Sequence, residues 1–361
     1  MVLNRHGGEI KDQIKYDFSV NVNPLGMPDY VKQAIAESID SLSEYPDRLC
    51  RDLRNCIAKQ EGIPEERVLC GNGASELIMA ICASAANEKL TKSAIKNCGR
   101  IKALIQAPTF SGYERAVKAY GGEVSYYRNY DEAIKILEGR TKDAVQRMEA
   151  NDLDILFLCN PNNPTGEVVK KEELIRIIET ARDNQVLVVV DECFIDFTHE
   201  ESLVGRTEYE NLLVVKAFTK FYAMAGVRLG YICGRPEPIE KIAEYLPEWN
   251  VSTLAQRAGL AAISDEGQAK KWKQDTLKLI DAERAYLVNA LIGLGFAVSD
   301  SKANFLLCKS DDSTLWEKLR RVGILVRDCG NFQGLDGSFI RICVSTHEKN
   351  EILINSINAL I

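Results

Sequence analysis

The sequence predicts an α/β protein: a mostly parallel sheet with helices on both faces, followed by a smaller α+β domain. Three observations predict it. Short, continuous apolar runs recur between helical stretches, ILFLC at 155–159, VLVVV at 186–190 and LLVV at 212–215. Such runs, rich in β-branched residues and without alternation, mark strands covered on both faces. The pattern changes after Pro247, where a long helical stretch precedes short strands with helices between them. The 361 residues are also enough for two domains at roughly 100–200 residues each.

The chain opens on an arm, residues 1–28, that holds the turn signals His6-Gly7-Gly8, Asn21, Asn23-Pro24 and Gly26. Pro28 opens a helical pattern over Asp29 to Ile39, at a position where its missing N–H costs little. A second helix follows Tyr45-Pro46-Asp47. Strands then alternate with helices: a strand from Arg67 to Cys70, a helix from Glu76 to Ala86, a strand from Ile101 to Ala107 and a helix from Tyr113 to Tyr120. The three apolar runs continue the alternation, with a helix over Lys171 to Asn184. Beyond Pro247 a helix spans about Gly267 to Leu294, and Phe305 to Cys308, Leu325 to Arg327 and Phe339 to Val344 read as strands. The expected division is an arm at 1–28, a large domain at 29–245 and a small domain at 246–361.

Composition excludes several classes. Hydrophobic residues are 46% and charged residues 27%, an ordinary globular balance. With 45 basic against 52 acidic side chains, a net charge of −7 and no basic tract, neither nucleic acid nor an anionic membrane is an expected partner. No apolar run nears the roughly 18 residues of a membrane span. The first ten residues lack the apolar core of a signal peptide, so a cytoplasmic location is expected. The 11 Cys form no CxxC pair and the 3 His no metal-ligand spacing, so neither a disulfide framework nor a metal is expected.

Polar residues follow several of the strands, and in a parallel α/β sheet ligands bind beyond the carboxyl ends of strands. Gly71-Asn72-Gly73-Ala74-Ser75-Glu76 joins a strand to a helix and exposes N–H groups where an anion is favoured. It lacks the Lys of a phosphate loop and has Glu76 where a dinucleotide fingerprint needs Gly, so alone it reads equally as a tight turn. NPNNPTG, at 160–166, follows ILFLC, and its two Pro fix a turn that can aim an Asn amide. Asp191-Glu192 ends VLVVV, where a desolvated carboxylate needs a cation or strong donors. Thr219-Lys220 follows LLVV, with Arg228 further along. A desolvated Lys beside cations has a lowered pKa and forms Schiff bases, whereas an isolated Lys is usually a solvated surface group. Lys220 gains weight from the other polar elements at the same edge. Arg327 and Arg341 flank the last strands, where each fits a carboxylate or phosphate as readily as a structural salt bridge.

NPNNPTG, DECF at 191–194 and TKFYAMAGVRLGY at 219–231 occur in that order, each after a strand. Together they resemble the fold-type-I pyridoxal-phosphate enzymes, in the branch containing histidinol-phosphate aminotransferase, over nearly the whole chain. The resemblance implies an aspartate-aminotransferase-like fold with a mostly parallel seven-stranded sheet. It also implies pyridoxal 5'-phosphate as cofactor and a homodimer with shared active sites. Lys220 would bear the cofactor as a Schiff base, Asp191 would pair with the pyridinium nitrogen, Asn163 would donate to the phenolic oxygen, and Phe110 would stack on the ring. Gly73, Ala74, Ser75, Thr219 and Arg228 would hold the cofactor phosphate, with Tyr45 reaching that of the neighbouring subunit. Arg341 would bind the substrate α-carboxylate.

Three positions depart from the histidinol-phosphate aminotransferase pattern. The N-E-N-P near the start is here Asn21-Val22-Asn23-Pro24, so an apolar residue replaces the acid that faces the imidazole. The Tyr usual three residues after the Asp is Phe194, and the Ser or Thr usual three residues before the Lys is Ala217. The first two departures fit the L-threonine-O-3-phosphate decarboxylases. HGG at 6–8, DFS at 17–19, NVNPLG at 21–26, DECFIDF and Arg327-Asp328-Cys329 resemble that group as well. It implies decarboxylation of L-threonine O-3-phosphate to aminopropanol phosphate, a cobalamin precursor, with His6, Asn21, Asn23 and Arg327 at the substrate phosphate. The alternative is amino transfer on histidinol phosphate or another phosphorylated or aromatic amino acid.

Overall fold

The computed structural model describes residues 8, 13–92, 100–139 and 153–361. β1 (Tyr16–Asp17) belongs to the arm. The strands β2 (Val68–Gly71), β3 (Lys102–Gln106), β4 (Glu123–Tyr127), β5 (Ile155–Cys159), β6 (Leu187–Asp191), β7 (Leu212–Ala217) and β8 (Gly230–Cys233) form one sheet. Their order is β2-β8-β7-β6-β5-β3-β4. β8 is antiparallel to both neighbours, and every other pair is parallel. β5 and β7 are buried from end to end, as unalternating apolar runs require. β4 and β8 escape a sequence reading for opposite reasons. β4 is a half-exposed edge strand with two tyrosines, and β8 is four residues long and directly follows the polar TKFYAMAGVR loop.

Helices cover both faces of this sheet: α2 (Arg51–Glu61), α3 (Ala74–Lys92), α4 (Gly112–Ala119), α5 (Tyr130–Leu137) and α6 (Lys171–Asp183), whereas α1 (Asp29–Glu37) packs on the later helix Thr253–Ser264. The single turn α7 (Phe218–Phe221) leaves β7, and α8 (Pro236–Ala243) and α9 (Thr253–Ser264) follow β8. α10 (Glu266–Gly293) is the long helix expected after Pro247, started by Asp265, whose carboxylate accepts from Gln268 N at 3.0 Å. Beyond it come β9 (Ala297–Val298), β10 (Phe305–Lys309), α11 (Leu315–Arg321), β11 (Ile324–Leu325), β12 (Arg327–Asp328), β13 (Phe339–Cys343) and α12 (His347–Leu360).

The stretch expected as one strand, Leu325 to Arg327, is two. β11 pairs in parallel with β1 of the arm, while β12 pairs antiparallel with β13 in the sheet β12-β13-β10-β9. One short apolar segment serves two sheets, so periodicity could not divide it. The arm is thereby tied to the far end of the chain: Phe18 N donates to Leu325 O at 2.7 Å, and Cys343 N donates to Phe18 O at 2.9 Å. Among the described residues no helix is long and apolar enough to cross a membrane.

Candidate active site

The carboxyl ends of β2, β3, β5, β6 and β7 converge on a cavity of about 240 Å³, closed on its other side by the arm and by β12 and β13. Asp191 ends β6, level with Cys159 of β5 and Val215 of β7. It is buried and fully engaged. Tyr113 Oη donates to one carboxylate oxygen at 2.7 Å, and Cys193 N donates to the other at 2.9 Å. Tyr113 is itself fixed, stacked on Phe157 with ring centroids 5.0 Å apart, and Phe110 meets its edge at 5.4 Å. Sequence reasoning missed Tyr113. As the inward face of an amphipathic helix it is indistinguishable from a core residue, and its spacing from Phe110 was the one signal on offer.

The NPNNPTG loop is cross-tied before it reaches the cavity. Asn162 accepts from Thr109 Oγ1 at 2.7 Å and donates to Pro108 O at 3.0 Å and Thr165 Oγ1 at 3.1 Å. Asn160 Oδ1 accepts from Val169 N at 2.9 Å. Gly166 has φ +74, and a Cβ there would fall 1.9 Å from Ser301 Oγ, so the loop needs glycine at its end. This scaffold leaves Asn163 to line the cavity, where its carbonyl accepts from Arg341 Nη1.

Lys220 lies in α7 and lines the same cavity with Thr219. Burial, helped by the cationic Arg341 and Arg228, lowers its pKa to about 8. Such a lysine is available as a neutral amine at moderate pH. At one end of the cavity stand Ala74 and Ser75, in the first turn of α3, where helix N–H groups have no intrahelical acceptor. Glu76 is not in their way: its carboxylate accepts from Asn72 N and Asn250 Nδ2, each at 2.7 Å. Gly73 has φ +84, and a Cβ there would sit 2.7 Å from Arg228 Nη2. Arg228, also left-handed at φ +61, thus lies directly against the backbone of the glycine turn.

At the other end Arg327 and Arg341 face each other across the β12–β13 pair. Arg341 Nη2 donates to Ser19 O at 2.8 Å, and its guanidinium lies 5.5 Å from the Phe305 ring centroid. Its Nε is buried without a partner among the described residues. Burial, reinforced by Arg327, lowers its pKa to about 10. Arg327 donates to Asp328 O at 2.5 Å and to Asn331 Oδ1 at 2.9 Å, over the ring of Phe332. Asn21 is 2% exposed and lines the cavity with both amide atoms unpartnered among the described residues.

Of the residues expected at the site, the structure brings together Ala74, Ser75, Phe110, Asn163, Asp191, Thr219, Lys220, Arg228, Asn21, Arg327 and Arg341, with Gly73 against Arg228. Asn23 does not line the cavity. Its amide donates to Phe221 O and Thr276 Oγ1, both at 2.8 Å, and its backbone N donates to Lys220 O at 3.0 Å, so it fastens the arm to the lysine turn. Tyr45 is 80% exposed and away from this cavity, its ring tilted against Trp249 at 4.7 Å between centroids. His6 lies outside the described residues. Phe194 lines the cavity, edge-on to Phe305 at 4.9 Å, and Ala217 does not line it. Ser19 and Cys193 line it and were not anticipated.

Comparisons with known proteins agree with this geometry. The profile of the family Aminotransferase class I and II matches residues 13–357. A protein from Caldanaerobacter subterraneus subsp. tengcongensis, named as a candidate threonine-phosphate decarboxylase, is 37% identical over 98% of this chain and 93% of its own. The histidinol-phosphate aminotransferase of Methanosphaera stadtmanae is 32% identical over 94% of this chain and 89% of its own. The crystal structure of the histidinol-phosphate aminotransferase from Clostridium acetobutylicum superposes with a TM-score of 0.82 and 30% identity, covering 96% of this chain and 98% of that one. Pyridoxal 5'-phosphate is the cofactor of this family, and the residues present fit it. A helix N-terminus with an arginine suits its phosphate, and a buried carboxylate and a lysine of lowered pKa line the same cavity. The chain belongs to the aminotransferase class I and II family and has its aspartate-aminotransferase-like fold.

Proposed function

We propose that this enzyme decarboxylates L-threonine O-3-phosphate to aminopropanol phosphate. The observation that carries the reading is the pair Arg327 and Arg341, on adjacent strands of one cavity, beside an Asn21 amide with no partner of its own among the described residues. Two guanidinium groups in addition to Arg228 suit a short substrate bearing both a phosphate and a carboxylate. Phe194, packed on Phe305, presents a ring where the aminotransferase pattern has a hydroxyl, and Val22 stands where that pattern has an acid for an imidazole. The more similar of the two relatives above also carries the decarboxylase name.

When bound, pyridoxal phosphate supplies an electron sink for the pair left on the substrate α-carbon as a bond there breaks. The chain's own residues supply the rest. Ala74, Ser75 and Arg228 would hold the cofactor phosphate, and Asp191, oriented by Tyr113 and Cys193, would accept the N–H of the pyridine nitrogen. Lys220 would bind the cofactor through its Nζ and would serve as the acid that protonates the α-carbon. Arg341 holds the carboxylate, while Arg327 and Asn21 hold the phosphate. The bond from the α-carbon to the carboxylate breaks, carbon dioxide leaves, and the proton on Lys220 Nζ goes to the α-carbon. Tyr45, exposed with Trp249, suits the cofactor phosphate of a second copy, in a homodimer with shared sites.

Incubation of the holoenzyme with L-threonine O-3-phosphate tests the reading. Carbon dioxide and aminopropanol phosphate should form without any 2-oxo acid. A product that requires 2-oxoglutarate, from this substrate or from histidinol phosphate, sinks it in favour of amino transfer.

A further inference from the structure

α7 separates two cavities. Thr219 and Lys220 line the one described above, while Phe218 and Phe221 of the same turn line a second, of about 480 Å³. That volume is in the range of small-molecule sites. The second cavity lies between α2, β7 and the junction of α9 with α10.

Its floor is polar, with Lys216 deeply buried and the Asp196 side chain 32% exposed. Lys216 is 4% exposed, donates to Glu61 Oε1 at 2.9 Å and stands 3.7 Å from Asp196 Oδ1. Tyr231 Oη donates to the same Glu61 oxygen at 2.6 Å. Burial pushes the Lys216 ammonium down, but Asp196, Glu61 and Glu192 together raise it, so the lysine stays charged. Two groups there remain unmet. Tyr222 lines the cavity, is 7% exposed and has no hydrogen-bond partner for its hydroxyl among the described residues. The Asp196 carboxylate has loose ion pairs, to Lys216 and at 3.9 Å to Lys273, and no hydrogen bond among the described residues. Tyr222 is a buried residue whose hydroxyl lacks the usual partner, and with the half-exposed Asp196 carboxylate it makes the floor complementary to a donor from outside the chain. The rim is predominantly cationic, with Lys59, Lys270 and Lys273 against one acid, Glu266. Lys59 of α2 and Lys270 of α10 are exposed and have no ion-pair partner among the described residues.

We propose that this cavity is a second ligand site. It takes a small molecule with an apolar or aromatic body, a hydroxyl or ammonium donor at one end and a carboxylate or similar anion at the other. The donor meets Asp196 and Tyr222 at the floor, and the anion meets Lys59 and Lys270 at the rim. The site does not depend on which reaction the first cavity performs.

4-Hydroxyphenylacetate carries both ends, phenylacetate lacks the donor, and tyramine lacks the anion. Each is titrated calorimetrically into the holoenzyme, into a Lys59→Glu/Lys270→Glu variant and into Arg341→Gln. The expected result is that 4-hydroxyphenylacetate binds the parent and Arg341→Gln alike and binds more tightly than the other two. The rim variant should keep parent turnover, showing that it folds, and bind at least about fivefold more weakly. Three results overturn the proposal. One is no binding up to about 10 mM. Another is binding lost in Arg341→Gln, which places the ligand in the first cavity. The last is equal affinity in the rim variant.

Discussion

The two ends of the catalytic cavity are built by opposite means. At the cofactor end the acceptors and donors have protein partners before any ligand arrives: Asp191 has Tyr113 and Cys193, and Asn162 has three hydrogen bonds. At the other end, among the described residues, Asn21 has both amide atoms unpaired and Arg341 has an unpaired Nε. The first arrangement is preorganised and rigid, and it suits a group that stays bound through every turnover. The second holds unsatisfied polar atoms in a dry place, which costs stability and is repaid when a polar ligand binds.

Substitutions can break that contrast, and Lys220→Ala should have the largest effect. Turnover should fall about a thousandfold or more, and the borohydride-sensitive absorbance of the bound cofactor should vanish. Next comes Arg341→Gln, which on the proposed function leaves the substrate carboxylate without its cation. A buried charge partner is worth about 3–5 kcal/mol, so kcat/KM should drop about 10²- to 10⁴-fold while cofactor absorbance is retained. A loss below tenfold would mean that the carboxylate binds elsewhere.

The asparagines give a more direct test. Asn162→Ala removes three hydrogen bonds inside the rigid end and should cost about 2–3 kcal/mol in denaturant unfolding. Asn21→Ala removes two atoms with no partner among the described residues, so stability should hold or rise while KM increases about tenfold. If both variants lose stability equally, the two ends do not differ as described.

The smallest effect concerns pH. Lys220 has a folded-state pKa of about 8, below the roughly 10.4 of an unfolded lysine. Between those values the unfolded chain binds more protons, so the cofactor-free protein gains stability from this group as pH rises from about 8 to about 10.4. Subtracting the melting temperatures of Lys220→Met from those of the parent across that window isolates the gain. A flat or falling difference would contradict the lowered pKa.

The same contrast explains what the sequence could tell. The cofactor end is assembled from motifs that each follow a single strand, so NPNNPTG, DECF and TKFY could be read one at a time and placed on one sheet edge. The substrate end is assembled across the chain: Arg341 bonds Ser19, 322 positions away, and Asn304 Nδ2 bonds Asn21 O. No local pattern reports such pairs. Arg327 and Arg341 therefore read as even odds until a resemblance placed them. Asn23 illustrates the converse, since a motif identifies a residue without saying whether its amide faces a ligand or, as here, Phe221 and Thr276. Strands with continuous apolar runs were legible, and β4, β8 and the divided β11–β12 segment were not, because their burial is set by neighbours rather than by their own periodicity.

The pairing of the arm with β11 and β13 sets a timetable for synthesis. Tyr16 and Phe18 leave the ribosome some 300 residues before their partners Ile324, Leu325 and Cys343. At roughly 5–20 residues per second, the arm waits about 15–60 s with its apolar side chains uncovered. The substrate end of the cavity is completed after translation of β13, as one of the last events in folding.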